Sequence, residues 1–562
     1  MTKYRKTLAV VAAAAMGVTG LAACGGGGGG SADGANTLHY MTFRPTEHWD
    51  PQRMYIGRDL ADSSRLFYRS LVSFPVSEDP TTSVTPVPDL ATDTGKASNK
   101  GKTWKFTLKE GVKWEDGKPV TCEDVKYGIS RTFDLQTGGS GALTGGPNYI
   151  LGYIDAPDFK GPYKADAKGQ AQFDKAVVCD GATITFNFKK GWNDLPLAIA
   201  SLRSFDPYRK DKDQGDKSNY QIFSNGPYKL DGAWVKEKGG TFVKNTEWDA
   251  STDTVRKQLV DKIVFTEGIT NELVAQRLIA SNGDDAYAVT DRSIPPSIYA
   301  QVTGDAAKRA TLVDSPFTGY LLPNFKRMTN PQVRKALMLS TDRDGWAAAL
   351  GGEKSAKPSS SIVNPAVAGY APNPAFADMG NYDMAKKTLK AAGKMGYPII
   401  FTFSGGSPTS QKAAAALKQG WEKGGFKVSL NELTDTYYTE VQKPNLKTDV
   451  VWGGWGADWP SISTVIPPLF DSRLNISKTS NGQDYGNFVD PKANKMFDAA
   501  NAAPLEEQPA MWAAVDKYLG EQTAYIPLDV TQFYMMHGSK VTNYMQTAAS
   551  NMYPDLGAIG VE

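Results

Sequence analysis

Histidine and cysteine are both scarce in this chain, which contains three of each among 562 residues. The histidines, His39, His48 and His537, lie far apart, and no ligand spacing surrounds the cysteines, so a metal site is not supported. The chain also lacks a Gly-x-Ser-x-Gly turn and a His-Glu-x-x-His helix, two patterns that mark hydrolases. We therefore expect no metal, no cofactor and no catalysis, and we keep a secreted hydrolase as the enzymatic alternative.

A surplus of basic residues is absent as well. Lys and Arg number 62 against 60 Asp and Glu, and removal of the first 23 residues leaves 59 basic against 60 acidic side chains. Because no basic excess is present to neutralise phosphates, we do not expect a nucleic-acid partner. The length exceeds what one hydrophobic core supports, and the hydrophobic content of 41% is ample, so we expect two or three domains.

The N-terminus has the pattern of a secretory signal. Three basic residues within the first six positions precede an apolar run at residues 8–23, which is typical of a signal peptide rather than a membrane-spanning helix. The run ends in Leu-Ala-Ala-Cys, which resembles the bacterial lipobox and implies that Cys24 becomes the lipid-modified first residue. The alternative is a chance cysteine after the signal. Residues 24–35 are rich in glycine and are expected to form a flexible tether.

Two cysteines, Cys122 and Cys179, are left once Cys24 is assigned to the lipid. Outside the cytoplasmic membrane the environment is oxidising, and such a pair can close into a disulfide. We predict this bond. The alternative is two buried free thiols that behave as small hydrophobic side chains.

The segment at residues 449–460 is interpreted as one wall of a ligand cleft. It begins as a short apolar run, typical of a buried strand, and then breaks into glycines. Aromatic faces can cover an organic ligand, bare glycine backbone offers hydrogen bonds, and the single acid, Asp458, can accept one positive charge. The alternative is a strand end in a core, with Asp458 capping the next turn. The interleaved residues are Gly453, Gly454, Gly456, Trp452, Trp455 and Trp459.

Strands alternate with helices along the second half of the chain. Residues 398–403, 409–423 and 426–433 read as strand, helix and strand, so a parallel sheet is expected. The 449–460 segment would be the next strand of that sheet, and ligands bind beyond such strand ends. The other predicted elements are a strand from Thr37, strands at 104–108, 183–188, 229–235 and 262–265, helices at 59–71, 271–281, 331–339 and 383–392, a helix capped by Thr121, and a loop at 138–169.

Five motifs follow one another in an order that a known family shares. Trp-Asp-Pro at 49–51 stands where the family has Leu-Asp-Pro, and residues 105–125 are close to the family signature apart from Cys122, where Ala is usual. The remaining motifs are Asn-Gly-Pro-Tyr at 225–228, Val-Arg-Lys-Ala-Leu at 333–337 and Asp-Arg at 342–343. Together they cover nearly all of the mature chain. The chain thus resembles the extracytoplasmic solute-binding proteins of the oligopeptide- and dipeptide-binding type, which serve ABC importers.

The resemblance implies an α/β, periplasmic-binding-protein-like fold of class II, in which two lobes close over the ligand by a hinge. It also implies an extra subdomain in the first lobe, and the disulfide would lie inside that subdomain. The implied boundaries are 36–75, 222–313 and 526–562 for the first lobe, 80–220 for the extra subdomain, and 320–521 for the second lobe.

The resemblance also assigns ligand contacts on the second lobe. In peptide-binding relatives the acid of a Gly-Trp-x-Ala-Asp run pairs with the free ammonium of the peptide, and residues 454–458 match that run. Asp458 would therefore bind the ammonium, Gly454 and Gly456 would pair through main chain, and Trp455 would lie against ligand side chains. Such main-chain pairing is blind to the sequence of the ligand.

The facing side of the ligand would contact Tyr55, Ile56 and Gly57, which follow the Asp-Pro turn. Trp452 stands where some relatives hold a basic residue that meets the carboxylate of the peptide. The carboxyl end of the ligand is therefore unassigned, and Trp452 is kept as a candidate contact.

We predict a monomeric, lipid-anchored receptor at the outer face of the cell membrane, which captures short peptides and passes them to an ABC permease. One rival hypothesis keeps the fold but changes the ligand to an oligosaccharide, an opine or a metal chelate. A secreted hydrolase is a second rival hypothesis, and a cell-surface signalling or adhesion module is a third.

Overall fold

Residues 36–134 and 149–562 are described by the computed structural model of this protein. The predicted signal, Cys24 with its tether, and residues 138–148 of the predicted loop lie outside the described residues. Within the described part, none of the helices has the length and hydropathy needed to span a bilayer. The same residues contain no cluster of three or more His, Cys, Asp or Glu that is placed to hold a metal ion.

The strands and helices alternate in an α/β arrangement. The strands are β1 (Thr37–Met41), β2 (Val72–Ser73), β3 (Val87–Pro88), β4 (Lys96–Ser98), β5 (Thr103–Thr107), β6 (Val177–Asp180), β7 (Thr183–Asn187), β8 (Tyr228–Val235), β9 (Gly239–Lys244), β10 (Lys262–Thr266), β11 (Ala288–Thr290), β12 (Ala310–Pro323), β13 (Ala356–Pro358), β14 (Pro398–Ser404), β15 (Lys427–Leu433), β16 (Val450–Gly456), β17 (Ile526–Met536), β18 (Val541–Thr542) and β19 (Gly560–Val561). The helices are α1 (Gly57–Leu66), α2 (Cys122–Arg131), α3 (Tyr149–Tyr153), α4 (Ala167–Ala176), α5 (Leu195–Ser201), α6 (Asn271–Ala280), α7 (Gly304–Lys308), α8 (Pro331–Leu339), α9 (Arg343–Leu350), α10 (Tyr382–Ala391), α11 (Pro408–Lys423), α12 (Tyr437–Val441), α13 (Ile466–Phe470), α14 (Ser472–Asn475), α15 (Pro491–Ala502) and α16 (Gln508–Glu521).

A five-stranded mixed sheet has the order β11-β1-β10-β9-β8. β1 runs parallel to β10 and to β11, whereas β9 is antiparallel to both of its neighbours. Aromatic rings fill the core beside it, with edge-to-face contacts between Tyr40 and Phe265 at 4.8 Å and between Trp49 and Phe67 at 5.2 Å. Such contacts add about 0.5–1.5 kcal/mol beyond the area they bury.

A six-stranded sheet has the order β13-β17-β12-β16-β14-β15 and its own hydrophobic core. β14 and β15 are parallel and are joined by α11, which confirms the predicted strand-helix-strand unit. β16 lies next to β14 and runs parallel to it, as predicted for the 449–460 segment. α11 buries Leu417 and Trp421 under this sheet, and the indole nitrogen of Trp421 donates to Thr341 at 3.0 Å.

The long strands β12 and β17 pair with each other and connect two cores. Ile526 and Leu528 of β17 belong to the core of the six-stranded sheet, whereas Tyr534 and Met536 pack in a separate cluster with residues such as Met41. The pairing shifts register between residues 314 and 318 of β12, which is the irregularity expected where a strand bends. The residue boundaries of the two lobes stay a prediction.

A four-stranded antiparallel sheet, β4-β5-β7-β6, packs with α2 in the region that contains both remaining cysteines. Thr121 caps α2 as predicted, since its hydroxyl accepts from the backbone N–H of Asp124 at 3.2 Å. The predicted disulfide joins Cys122 at the start of α2 to Cys179 in β6. It closes a separation of 57 residues, and disulfides of this kind typically contribute about 2–4 kcal/mol by restricting the unfolded chain.

Three local predictions are wrong. The helix predicted at 59–71 ends at Leu66, because the apolar residues that follow are buried on non-helical backbone that leads into β2. The predicted 138–169 loop contains α3 and the start of α4, where a Cβ at Gly169 would lie 2.5 Å from the carbonyl of Asp158, so the glycine serves close packing. α10 is capped by Asn381 rather than Asp383, because Asn381 accepts from the N–H of Met384 at 3.0 Å.

Candidate ligand-binding cavity

A cavity of about 860 Å³ lies where β16, β12 and β17 meet the start of α1 and residues 548–553. Its volume is within the range of small-molecule sites. Among the described residues that line it, the charged side chains are Arg44, Asp458 and Asp529. The cavity brings together all of the predicted ligand contacts, namely Tyr55, Ile56, Gly57, Trp452, Gly454, Trp455, Gly456 and Asp458.

Gly454 leaves the backbone of β16 bare on its cavity side. Gly454 is exposed and lies opposite Gly319 of β12, so neither strand carries a side chain at this point. The indole of Trp452 lies beside Gly454, since a Cβ there would be 3.3 Å from its ring. The site therefore offers exposed main chain next to an aromatic face.

Gly453, on the opposite face of β16, is fixed by packing. A Cβ on Gly453 would lie 2.5 Å from the ring of Tyr320, its partner on β12. The glycines of this strand therefore serve two different purposes: Gly453 and Gly456 admit the rings of Tyr320 and Phe317, whereas Gly454 opens the cavity.

Asp458 lies just beyond the end of β16, and both of its carboxylate oxygens accept hydrogen bonds from tyrosine hydroxyls. Tyr55 donates to Oδ1 at 2.6 Å, and Tyr149 donates to Oδ2. The backbone N–H of Asp458 donates to the hydroxyl of Thr464 at 3.0 Å, which fixes the position of the residue. Burial raises the pKa of Asp458 to about 6, although both hydroxyls act to lower it.

The salt bridges formed between described residues do not include Asp458. A carboxylate has about four lone-pair positions, and the two tyrosines occupy two of them. The acid can therefore accept further hydrogen bonds from a cationic group in the cavity. Burying an unpaired carboxylate is costly, so such a partner would be strongly favoured.

The side of the cavity at Tyr55–Gly57 is more constrained than the sequence indicates. The carbonyl of Ile56 accepts from the N–H of Leu60 in the first turn of α1, and the carbonyl of Gly57 accepts from Asn551 at 3.0 Å. Both carbonyls are therefore engaged within the chain. The hydroxyl of Tyr55 is directed at Asp458.

The sequence interpretation missed Arg44 and Asp529, which line the cavity, and Tyr149, which donates to Asp458. Tyr149 fell within the predicted loop, and no local pattern connects it to Asp458, which is 309 positions away. Arg44 follows β1 without any motif. Asp529 was detectable in the sequence, because it interrupts the apolar start of β17. An acid inside a buried strand requires a hydrogen-bonding partner.

A cavity lined by aromatic rings, bare backbone and an unpaired acid, on a mixed α/β framework, is that of a protein that binds a small solute. The model of the family described as bacterial extracellular solute-binding proteins, family 5 Middle, matches residues 85–475. The chain therefore belongs to the family 5 extracellular solute-binding proteins. This membership confirms the resemblance inferred from the sequence, the extracytoplasmic location, the fold class, and the expectation of a binding protein rather than an enzyme.

Individual relatives cover most of the chain. The periplasmic murein peptide-binding protein MppA of Escherichia coli K12 is 27% identical over 461 residues, which are 79% of this chain and 79% of that protein. The structure of clavulanic acid biosynthesis oligopeptide binding protein 2 superposes with a TM-score of 0.84 at 23% identity, covering 93% of this chain and 95% of that one. The structure of Haemophilus influenzae OppA in complex with the peptide RPPGFSPFR gives a TM-score of 0.67 at 18% identity, covering 94% and 99%.

Proposed function

We propose that this protein captures short peptides outside the cytoplasmic membrane and delivers them to an ABC importer. The peptide lies in the cavity, its free ammonium binds Asp458, and its backbone pairs with the main chain of β16 at Gly454 and Gly456. The observation that carries this proposal is the carboxylate of Asp458, which is held by two hydroxyls and turned to the cavity without a cationic partner among the described residues.

The surroundings of Asp458 suit an ammonium group. Two neutral donors hold the carboxylate in place and leave its charge uncompensated, so a bound cation would form charge-assisted hydrogen bonds in a partly desolvated site. The relatives support a peptide ligand, since MppA is named for a murein peptide and the H. influenzae OppA structure contains a nine-residue peptide.

The proposal also includes a lipid anchor on the protein and a permease as its partner. Cys24 would carry the lipid that holds the protein at the outer face of the membrane, with residues 25–35 as the tether and residues 1–23 removed as the signal. The monomer would close its two lobes over the peptide and dock on the permease. Metabolic labelling with a fatty acid, compared between the wild-type chain and Cys24→Ala, tests the anchor.

Stabilisation by ligand tests the class of solute. A peptide at 100 times its dissociation constant raises the free energy of unfolding by about 2.7 kcal/mol, so we expect a mixed pool of short peptides to raise the melting temperature. A panel of oligosaccharides, opines and metal chelates is the control. If one of these panels raises the melting temperature and the peptides do not, the ligand is that solute rather than a peptide.

The pH dependence of binding follows from the raised pKa of Asp458. Below about pH 6 the carboxyl is protonated in the free protein and must lose its proton to pair with an ammonium, so affinity falls by up to about tenfold per pH unit. Above about pH 8 the amine of the peptide loses its charge, and affinity falls again.

The tyrosines that face Asp458 do not titrate in this range, because burial raises the pKa of Tyr55 and of Tyr149 above the usual value. We therefore expect a plateau between these limits in titrations followed by calorimetry. An acid limb that persists for a peptide with a blocked amine and no basic side chain would contradict the assignment.

A further inference from the structure

A second acid, Asp529, faces the same cavity from the adjacent part of the sheet. Asp529 lies opposite Gly319, which in turn lies opposite Gly454, so the three residues form one row across β17, β12 and β16. Side chains directly opposite each other in antiparallel strands project from the same face. Asp529 is the member of this row that has a side chain, and its carboxylate occupies the space above the bare backbone of Gly319.

The glycine is required for this arrangement. A Cβ on Gly319 would lie 2.5 Å from Oδ1 of Asp529, closer than a real contact allows. The same acid is only 4% exposed, yet it lines the cavity. The carboxylate is thus held at the wall of the cavity, above the bare backbone of Gly319 and one strand away from Gly454.

The partners of Asp529 within the chain are neutral. The indole nitrogen of Trp346 donates to Oδ1 at 2.7 Å, and the hydroxyl of Thr531 approaches Oδ2 at 3.5 Å. No salt bridge to Asp529 is formed between described residues, whereas other buried acids such as Asp89 and Asp50 pair with arginines. Burial raises the pKa of Asp529 to about 6. An uncompensated buried carboxylate is costly, so a cation that reaches Asp529 from the cavity would be favoured.

We propose that Asp529 forms a second acidic subsite, which binds a cationic side chain of the ligand, an ammonium or a guanidinium, while Asp458 binds the terminal amine. This inference rests on the proposed function and narrows it to peptides with a basic residue. The strands of Gly454 and Asp529 are two spacings apart, about 10 Å, and every position of the peptide is therefore tested for the basic residue.

The test compares arginine with citrulline, its neutral analogue of the same shape. Each is placed in turn at every position of an alanine tetrapeptide with a free amine, and dissociation constants are measured by calorimetry. We expect the wild-type protein to prefer arginine at one position by roughly 10- to 100-fold, as for a hydrogen bond to a charged group. In Asp529→Asn the ratio of the dissociation constants of the citrulline and arginine peptides should fall to about one. The dissociation constant of the citrulline peptide itself should change little.

Two further variants keep the test decisive. Asn retains an oxygen for Trp346, and should Asp529→Asn still fail to fold, Gly319→Ala keeps the acid but crowds its carboxylate, so the preference should again be lost. Asp516→Asn is the matched control, since Asp516 is also 4% exposed and has neutral partners, Tyr525 and Ser361, but lies outside the cavity lining. Asp516→Asn should show the same preference for arginine over citrulline as the wild-type protein.

The outcomes separate the two proposals. If the wild-type protein binds tetraalanine but shows no preference for arginine at any position, or if Asp529→Asn retains the preference, the second subsite is wrong and the proposed function stands. If the wild-type protein binds none of the peptides, the proposed function fails, and the inference fails with it.

Discussion

Asp458→Asn is expected to weaken the binding of peptides with a free amine by about 2–5 kcal/mol, the usual result of removing one partner of a buried charge pair. This corresponds to an increase in Kd of roughly 30-fold to several thousand-fold. Asparagine has nearly the same shape, and its amide can still exchange hydrogen bonds with Tyr55 and Tyr149, so the cavity should keep its form. Calorimetric titration of one peptide against both proteins measures the effect.

Acetylation of the same peptide provides the control for charge. The acetylated peptide has no ammonium, so it should bind the wild-type protein weakly and should lose little further affinity in Asp458→Asn. Asp516→Asn, a change of the same kind outside the cavity lining, should leave both peptides unaffected. Equal affinities of the free and the acetylated peptide for all three proteins would remove Asp458 from the ligand contacts.

Local elements were predictable where a terminal residue has a fixed conformational preference. α8 begins at Pro331 as predicted, because proline at the first helical position loses no hydrogen bond, and Asn330 caps the helix from outside. The choice between Asn381 and Asp383 as the cap of α10 could not be made in this way. Both residue types cap helices well, and the path of the preceding chain decides between them.

The residues alone predicted one side of the cavity, whereas Tyr55, Ile56 and Gly57 on the facing side were assigned through the family resemblance. The run of glycines and tryptophans ending at Asp458 carries its own signal, since bare backbone next to aromatic residues is unusual in a strand. The tyrosines that hold Asp458 come from segments more than 300 positions away, Tyr55 and Tyr149. Their meeting depends on the order of strands in the sheets, which periodicity along one chain does not contain.

Strand order likewise had to come from the structure. β12 lies between β17 and β16, although some 126 residues separate β12 from the start of β16. This order places Gly319 between Gly454 and Asp529, and the sequence therefore showed an isolated acid in a strand but not the cavity that it faces.

The largest effect on stability is expected at Asp89, which lies outside the cavity lining. Its carboxylate accepts from Nε of Arg69 at 2.7 Å and from Nη2 of Arg256 at 2.7 Å. Asp253 pairs with the same two arginines at 3.6 Å and 3.2 Å, which gives two acids and two bases, all with side chains 0–1% exposed. The group joins segments near residues 69, 89 and 255, so it fixes chain that is distant in sequence.

Asp89→Asn should lower the free energy of unfolding by about 3–5 kcal/mol, because two buried guanidinium groups would then share the single carboxylate of Asp253. Denaturant unfolding followed by tryptophan fluorescence measures this change, and the folded fraction should bind ligand with unchanged affinity.

Adding Arg256→Met to Asp89→Asn removes the excess positive charge and should recover part of the lost stability. A packing defect alone would not be rescued in this way. Asp305→Asn, which breaks an exposed pair with Lys308, should leave stability unchanged. Unfolding of Asp89→Asn at the same denaturant concentration as the wild-type protein would show that the charge of Asp89 does not hold this part of the fold together.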